Sequence, residues 1–267
     1  MAAFPASKFT YLFALVLGKF SNRFLALLES QIQLVLGKGS GGHSTEQEVE
    51  SLSQVWSKKF SFLQHPIIFD VGGNNGDWAI QAQKYFPHSK LYIFEPSEHS
   101  FYVLKSKFTD IAAISVVKKA LGDAPGFFPL YSDESGSPLS SLLKRNLDFT
   151  SLDFNQQEEV EVVRLDDWCG GYGIQPNILK LDIEGFELNA LLGSANTIRN
   201  AQLIQFEFGG ANRDSKTYFK DFWDFFSKEN FSLFRISPLG LIPILKYQEQ
   251  DECFRTTNFI AVNDSFS

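Results

Sequence analysis

An acid and several glycines stand at the end of the short apolar run of residues 67–71, in the sequence Asp70-Val71-Gly72-Gly73-Asn74-Asn75-Gly76. Glycines let the backbone turn tightly and approach a ligand closely, and a helix predicted after Gly76 offers free N–H groups. The spacing is Gly-x-x-x-Gly, which differs from the Gly-x-Gly-x-x-Gly of dinucleotide sites. Asp70 would repel a pyrophosphate and suits a cationic ligand such as S-adenosylmethionine. A tight structural turn is the alternative interpretation.

A second acid, Glu95, stands directly after the next predicted strand and precedes Pro96. A carboxylate at this place can accept two hydrogen bonds from ribose hydroxyls, as in other adenosine-binding sites of such folds. The alternative is an exposed loop acid. The Tyr-x-x-x-Lys pair of short-chain dehydrogenases is missing, because none of the eight tyrosines is followed four residues later by lysine. A nicotinamide cofactor is therefore disfavoured.

Charged residues cluster again in the segment Lys180-Leu181-Asp182-Ile183-Glu184. Alternate residues of a strand share a face, so Lys180, Asp182 and Glu184 are predicted to line one side of a site. The alternative is an ion-paired strand end followed by acids that favour a helix N-terminus. These acids could also bind a magnesium ion, although no metal site is predicted. The four histidines do not have the spacing of metal ligands.

From Pro66 onward, short apolar runs alternate with amphipathic segments. The predicted main strands are residues 67–71, 90–94, 114–118, 177–183, 202–208, 231–236 and 257–262, the last of them antiparallel. The predicted helices are residues 77–86, 98–108, 186–192 and 218–226. Two further strands, 126–131 and 160–165, flank a polar insertion near the ligand end of the sheet. The fold class is therefore α/β, with a mostly parallel, seven-stranded, Rossmann-like sheet and helices on both faces.

The N-terminal residues 9–36 are strongly apolar, with near-helical spacing, and predict helices that are retained in the mature chain. The longest uncharged stretch, residues 9–18, is too short to span a bilayer. We expect this segment to pack on the main domain or across a homodimer. Peripheral membrane contact through residues 1–36 is the alternative.

A glycine-rich stretch, residues 37–43, predicts a flexible linker. A capping box of Thr45 and Glu48 is predicted to start the next helix. The chain is accordingly divided into an N-terminal apolar helical segment with its linker, residues 1–45, and a Rossmann-like domain with a leading helix, residues 46–267.

The charge balance bears on the partners of the chain, since 24 Lys and Arg stand against 31 Asp and Glu, with a net charge of −7. Nucleic acid is excluded as an expected partner, because its binding needs a basic surface. Cys169 and Cys253 offer neither a metal spacing nor a disulfide framework, which favours a cytoplasmic protein.

Five motifs stand in a fixed order along the main domain: Asp70 to Gly76, Phe94-Glu95-Pro96, Ala120-Leu121-Gly122-Asp123, the segment from Leu179 to Glu187, and Glu207. In this order they resemble the FkbM family of methyltransferases over residues 66–262, and residues 1–65 lie outside the resemblance. The family loop usually has alanine where this chain has Gly73. That difference is expected to loosen the loop without abolishing binding.

The resemblance implies a class I methyltransferase that uses S-adenosylmethionine to methylate a hydroxyl of a sugar, a glycan or a small natural product. The expected cofactor-binding residues are Asp70, Gly72, Gly73, Asn74, Gly76, Glu95, Pro96, Ala120, Leu121 and Asp182. The candidate catalytic residues are Lys180, Asp182, Glu184 and Glu207. One of the three acids would accept the hydroxyl proton, and Lys180 would keep the acids ionised or hold an acidic part of the acceptor.

A second hypothesis comes from the apolar N-terminus. It describes a non-catalytic Rossmann-like module that the N-terminal helices recruit to a membrane or a partner. Binding of S-adenosylmethionine separates the two hypotheses, because only the enzyme requires it.

Overall fold

The computed structural model describes residues 22–39 and 44–266 of the chain. Its helices are α1 (Asn22–Val35), α2 (Thr45–Lys59), α3 (Asp77–Tyr85), α4 (Glu98–Lys107), α5 (Leu165–Tyr172), α6 (Glu187–Leu192), α7 (Gly210–Ser215) and α8 (Phe219–Lys228). Its strands are β1 (Ile67–Val71), β2 (Lys90–Phe94), β3 (Ile114–Val117), β4 (Ala120–Leu121), β5 (Gly126–Ser132), β6 (Gln156–Val163), β7 (Ile178–Leu181), β8 (Leu203–Phe208), β9 (Phe231–Ser237), β10 (Gly240–Ile244) and β11 (Thr257–Asn263).

The main sheet has the strand order β3-β2-β1-β7-β8-β11-β9-β10. Five neighbouring strands of this sheet, β3, β2, β1, β7 and β8, pair in parallel, whereas β11 is antiparallel to β8 and β9. This confirms the mostly parallel α/β sheet and the antiparallel last strand. The predicted number of seven strands is one too few, because β10 adds an edge strand through a hairpin with β9. Pro243 lies within β10, and proline weakens the sequence signal for a strand while being tolerated at an edge.

Side chains of the parallel strands alternate between two apolar cores, one on each face of the sheet. On β1, Ile68 packs with residues of α2, α3 and α4, whereas Phe69 packs with residues of α5, α6 and α8. Both side chains are fully buried. The helices therefore cover both faces, as predicted.

An aromatic stack anchors α8 to the sheet. The Phe206 ring lies 5.0 Å from the rings of Phe222 and Phe226 and 5.3 Å from that of Phe259, measured between centroids. All four rings are buried. The aromatic face of α8 is thus core, which accounts for the spacing of its phenylalanines.

A second, smaller sheet has the order β4-β6-β5 and stands beside the ligand end of the main sheet. Between β5 and β6, residues 133–155 form an irregular excursion. The backbones of Tyr131 and Ser141 exchange hydrogen bonds of 2.8 and 3.0 Å, which folds the first half of the excursion back. The helix α5 was not predicted, because Gly170 and Gly171 lower its helix propensity.

The N-cap of the leading helix α2 is Ser44, one residue before the predicted cap Thr45. The Ser44 hydroxyl accepts a hydrogen bond from the Gln47 N–H, and the Gln47 side chain accepts one from the Ser44 N–H, at 3.3 and 2.9 Å. The predicted capping box of Thr45 and Glu48 is therefore wrong. The Glu48 carboxylate instead turns toward the main sheet, where it accepts hydrogen bonds from other side chains.

The helix α1 confirms the C-terminal part of the predicted N-terminal helix, while residues 1–21 lie outside the described residues. Residues 37–39 of the predicted linker are held against the main domain, because the Gly39 N–H donates to the Thr256 carbonyl (2.9 Å) and the Lys38 ammonium to the Gln250 carbonyl (2.7 Å). Residues 40–43 lie outside the description. Of the helices in the described ranges, none has both the length and the apolar character needed to cross a membrane.

We expect Phe206→Ala to lower the free energy of unfolding by about 3–5 kcal/mol, because it removes the ring at the centre of the stack and leaves a cavity. Urea unfolding followed by tryptophan fluorescence measures the change. Phe127, which is 68% exposed, supplies the matched control, and Phe127→Ala should change stability by less than about 0.5 kcal/mol. Equal losses in the two variants would contradict the placement of the stack.

Candidate functional site

A crevice opens where the strand order changes direction between β1 and β7. The carboxyl ends of β1, β2, β7 and β8 meet at this edge, which is where open α/β sheets bind ligands. The predicted site residues that line the crevice's first cavity are Gly72, Asn74, Glu95, Pro96, Ala120, Leu121, Asp182 and Glu184. The excursion supplies the opposite wall through residues 137–142. Most of the residues singled out in the sequence are thus brought together.

The Glu95 carboxylate is fixed at the tip of β2 and only 5% exposed. One oxygen accepts a hydrogen bond from the Ser97 N–H (2.9 Å) and the other from the Asn74 N–H (2.8 Å). Burial raises the pKa of Glu95 to about 7, against the opposing effect of these two N–H groups. Each oxygen keeps a lone pair, so the carboxylate can accept hydrogen bonds from two neighbouring hydroxyls.

The glycine loop is shaped by close backbone approach. Gly72 has φ +80°, and a side chain there would collide with the carbonyl of Asp182. The N–H groups of Gly72 and Gly73 both donate to the Phe94 carbonyl, at 2.9 and 3.2 Å. Gly76 caps α3 and packs against Leu104 and Phe108, so it shapes the loop without lining either cavity. Gly73 faces a second cavity, described below.

Apolar side chains line the inner part of the first cavity, beside Ala120 and Leu121. They are Phe94, Leu130, Leu142, Ile183 and Phe186. Such a lining suits a flat, weakly polar ring such as adenine. The free volume is about 50 Å³, which is below the roughly 300–1,000 Å³ of ligand pockets. The first cavity is therefore smaller than a nucleoside requires.

A buried ion pair lies beneath the glycine loop. Asp70 is fully buried, and the Lys180 ammonium lies 3.0 Å from its carboxylate and 3.0 Å from the Gly72 carbonyl. Burial lowers the pKa of Lys180, but the carboxylates of Asp70 and Asp182 outweigh it and hold that pKa above its usual value. The predicted direct contact of Asp70 with a cationic cofactor is therefore not supported by its position. The negative charge of Asp70 is paired with the Lys180 ammonium, and Asp70 lines neither the first cavity nor the second cavity described below.

The acids at the carboxyl ends of β7 and β8 lie close together, as the sequence predicts, but Glu184 joins them through a turn and not along a strand. The carboxylate oxygens of Asp182, Glu184 and Glu207 lie within 4.8 Å of one another, and Lys180 Nζ is 3.6 Å from Asp182. The strand ends at Leu181, so Glu184 does not share a strand face with Lys180. It reaches the group through a turn in which its own φ is +54°.

Burial and like charge act on two of these acids. Burial and the negative charge of Asp182 raise the pKa of Glu184 to about 8, against the opposing pull of Arg145. Burial and the charges of Asp182 and Glu184 raise the pKa of Glu207 well above its usual value. Both groups can therefore carry a proton near neutral pH, which is the condition for proton exchange with a bound hydroxyl.

Two residues of the site carried no usable signal in the sequence. Arg145, from the excursion, pairs with Glu184 at 2.6 Å and lies 3.7 Å from Asp214 of α7. Glu187, at the start of α6, accepts the N–H groups of Ile183 and Gly185 at 2.9 and 3.1 Å and so fixes the turn. Arg145 lies in a segment without periodicity, and Glu187 looks like an ordinary acid at a helix N-terminus.

The three converging acids offer the oxygen ligands that a divalent cation prefers. Two of them already face a cation of the chain, since Arg145 pairs with Glu184 and Lys180 with Asp182. Because these ion pairs already engage two of the three acids, we derive no step through a metal ion.

A second cavity adjoins the first and has a volume of about 530 Å³. Gly72, Asn74, Pro138 and Asp182 line both cavities, so the two are neighbours. Lys180 and Glu207 face this second cavity. The crevice therefore offers one lobe beside Glu95 and another beside Glu207, with Asp182 between them.

The strand order, the glycine loop after β1 and the fixed acid after β2 define a Rossmann-like class I methyltransferase fold. Residues 70–233, more than half of the chain, match the family model described as the methyltransferase FkbM domain. The chain therefore belongs to the FkbM methyltransferase family.

Two named relatives and one solved structure are similar to the chain. The chain is 25% identical over 153 residues to the 2-O-methyltransferase NoeI of Sinorhizobium fredii, covering 54% of this chain and 63% of that protein. It is 25% identical over 148 residues to Methyltransferase 1 of Beauveria bassiana, covering 49% and 59%. It spans less than two thirds of either relative. A crystal structure of methyltransferase FkbM from Methylobacillus flagellatus shares 15% identity, with a TM-score of 0.45, over 74% of this chain and 44% of that one.

We expect Lys180→Met to destabilise the protein by about 3–5 kcal/mol, because it leaves the buried Asp70 carboxylate unpaired. The double variant Lys180→Met/Asp70→Leu should recover most of that loss, since it removes both charges. Urea unfolding of the three proteins is the measurement. A double variant as unstable as the single one would contradict the buried ion pair.

We expect affinity for S-adenosylhomocysteine to fall as the pH drops below about 7, because protonation of Glu95 removes an acceptor for ribose hydroxyls. A ligand that prefers the ionised carboxylate lowers its pKa, so binding tightens as the pH rises. Calorimetric titrations between pH 6 and pH 8.5 test the dependence. Glu95→Gln should bind about tenfold more weakly at pH 8, with a flattened pH dependence.

The exposed Glu98, three residues further on, provides the control, and Glu98→Gln should behave like the unaltered protein. A pH dependence that survives in Glu95→Gln would assign the titration to another group.

Proposed function

We propose that this chain is an S-adenosylmethionine-dependent methyltransferase that methylates a hydroxyl group of a sugar, a glycan or a small natural product. The observation that carries the proposal is the geometry of Glu95, which lines a largely apolar cavity and whose two oxygens are held by backbone N–H groups. Membership of the FkbM family supports the methyl transfer. The name of the Sinorhizobium relative, a 2-O-methyltransferase, supports oxygen as the acceptor atom.

The residues of the first cavity fit an adenosine cofactor in their chemistry. Glu95 would accept the ribose hydroxyls, and Leu121, Phe94 and Phe186 would enclose the adenine ring. Gly72 and Asn74 would border the remainder, with Asp182 at the junction of the two cavities. When bound, S-adenosylmethionine supplies an activated methyl group on a sulfonium, so the protein has mainly to align the acceptor and take its proton.

Glu207 is the acid we assign to proton acceptance. It lines the larger cavity, and its carboxylate forms no hydrogen bond or ion pair with another residue in the described ranges. Glu184 is held by Arg145, and Asp182 lies beside Lys180. Glu207 is therefore the member of the group whose oxygens are most available to an acceptor hydroxyl.

The second hypothesis, a non-catalytic module, finds no support among the relatives of the chain, which are methyltransferases by name. Homodimer or membrane contact through residues 1–36 stays a prediction, since most of that segment lies outside the described residues.

Incubation with S-adenosylmethionine and a panel of sugars, glycans and phenols tests the proposal. We expect S-adenosylhomocysteine to accumulate with at least one hydroxylated acceptor. The methylated product should be heavier than the acceptor by about 14 mass units, the mass of the added CH₂. Failure of the protein to bind either S-adenosylmethionine or S-adenosylhomocysteine in calorimetry would overturn it.

We expect Asp182→Ala and Glu207→Ala to lower kcat by about 10²–10⁴-fold while changing cofactor affinity much less, because these acids act on the acceptor. The kcat of the unaltered protein should rise with pH above neutrality, since the raised pKa of Glu207 must be exceeded before it can accept a proton. Glu207→Gln should lose that rise.

Stopped assays across pH 6–10 supply the kcat profile, and calorimetry supplies the affinity. The exposed Asp224 on α8 gives the control variant Asp224→Ala, which should leave both unchanged. Equal losses of kcat and cofactor affinity would place the acids in cofactor binding instead.

A further inference from the structure

The second cavity has one wall that the family match does not reach. Ser44, Thr45 and Glu48 of the leading helix, with Thr256 and Asn258 near β11, stand outside the matched residues 70–233. Asp182 and Glu207, the proposed site of proton acceptance, also line this cavity, and Glu207 is the direct cross-strand partner of Asn258. A group bound against this wall would lie beside the acids that act on the acceptor.

Hydrogen bonds hold this wall to the sheet. Gln205 Nε2 donates to Glu48 at 2.8 Å, and Asn258 Nδ2 donates to the other oxygen of Glu48 at 3.2 Å. The Trp78 indole N–H donates to Gln205 Oε1 at 3.2 Å. Because Gln205 and Asn258 are buried, these bonds fix the start of α2 against the centre of the sheet. The wall is therefore a preformed surface of the cavity.

The lining combines hydroxyl and amide groups with negative charge. Ser44, Thr45, Asn75, Thr256 and Asn258 present groups that can donate and accept hydrogen bonds. Such groups recognise the hydroxyls of a polar acceptor, and the volume of about 530 Å³ accommodates a ring of sugar size.

The charge of the lining selects against anions. Four carboxylates face the cavity, from Glu48, Asp77, Asp182 and Glu207. Among the described residues that line it, Lys180 carries the one ammonium group, and that group is already 3.0 Å from Asp70 and 3.6 Å from Asp182. A phosphate or carboxylate on the ligand would therefore meet repulsion without a free cation to offset it.

We propose that the wall formed by Ser44, Thr45, Glu48, Thr256 and Asn258 is the acceptor-binding subsite, and that it takes a hydroxyl-rich acceptor without negative charge. The assignment rests on the proposed methyltransferase function, because it treats the cavity beside Glu207 as the place of the acceptor. It adds to that function which residues select the acceptor, and it states that they select against negative charge.

Three sugars of one size but different charge test the selection: D-glucose, D-glucosamine and D-glucuronate. Their binding to the protein saturated with S-adenosylhomocysteine is measured by saturation-transfer NMR titration. We expect glucose and glucosamine to bind, and glucuronate to bind at least about tenfold more weakly. Asp77→Asn should narrow the gap in affinity between glucose and glucuronate, because it removes one negative charge from the lining of the cavity.

A blocking variant locates the subsite. Thr45→Trp should fill the cavity and abolish the glucose signal, while S-adenosylhomocysteine still binds. Gln54 is exposed further along α2, so Gln54→Trp is the matched control and should keep both signals.

The inference is overturned if glucuronate binds as well as glucose, if none of the three sugars binds, or if Thr45→Trp leaves the glucose signal intact. Each of these outcomes can occur while S-adenosylhomocysteine still binds, in which case the proposed function survives. Loss of S-adenosylhomocysteine binding in the unaltered protein would instead remove the proposed function and the subsite together.

Discussion

The ion pair between Lys180 and Asp70 joins the tips of β1 and β7, and the geometry of the crevice depends on it. An ammonium is costly to bury unless a carboxylate and further acceptors surround it, and Lys180 finds these in Asp70, the Gly72 carbonyl and Asp182. The same contacts fix the glycine loop above the pair. The loop in turn directs the Asn74 N–H at Glu95, so one buried ion pair helps to position both the Glu95 carboxylate and the acids around Asp182.

This pairing also shows what the sequence could and could not reveal. The strands of the parallel sheet, the glycine loop and Glu95 were recognisable, because apolar periodicity and a turn followed by an acid are local features. Asp70 was assigned to the ligand from its place after a strand, whereas its partner lies 110 residues further along the chain. The pairing of Asp70 with Lys180 depends on how β1 and β7 align in the sheet, and the sequence of one segment alone does not determine that alignment.

Glu48 shows the same limit at the start of the domain. Its spacing from Thr45 matches a capping box, but the carboxylate has two strong donors within reach on the sheet, Gln205 and Asn258. Tertiary hydrogen bonds to a partly buried carboxylate outweigh a local cap, and Ser44 with Gln47 supplies the cap instead. Arg145 was missed for a related reason, since its segment has no periodicity and gains its place by pairing with Glu184.

The concentration of acids around Asp182 calls for a chemical explanation, because like charges this close raise the pKa of Glu184 and Glu207 and cost stability. Attraction of a sulfonium alone does not account for them. The positive charge disperses as a methyl group leaves, so fixed carboxylates stabilise the reactants more than the transition state. In the proposed reaction, Glu207, with its raised pKa, would receive the proton that the acceptor hydroxyl loses as it attacks. The neighbouring acids that destabilise the negative charge of Glu207 would also bring its pKa closer to that of the hydroxyl.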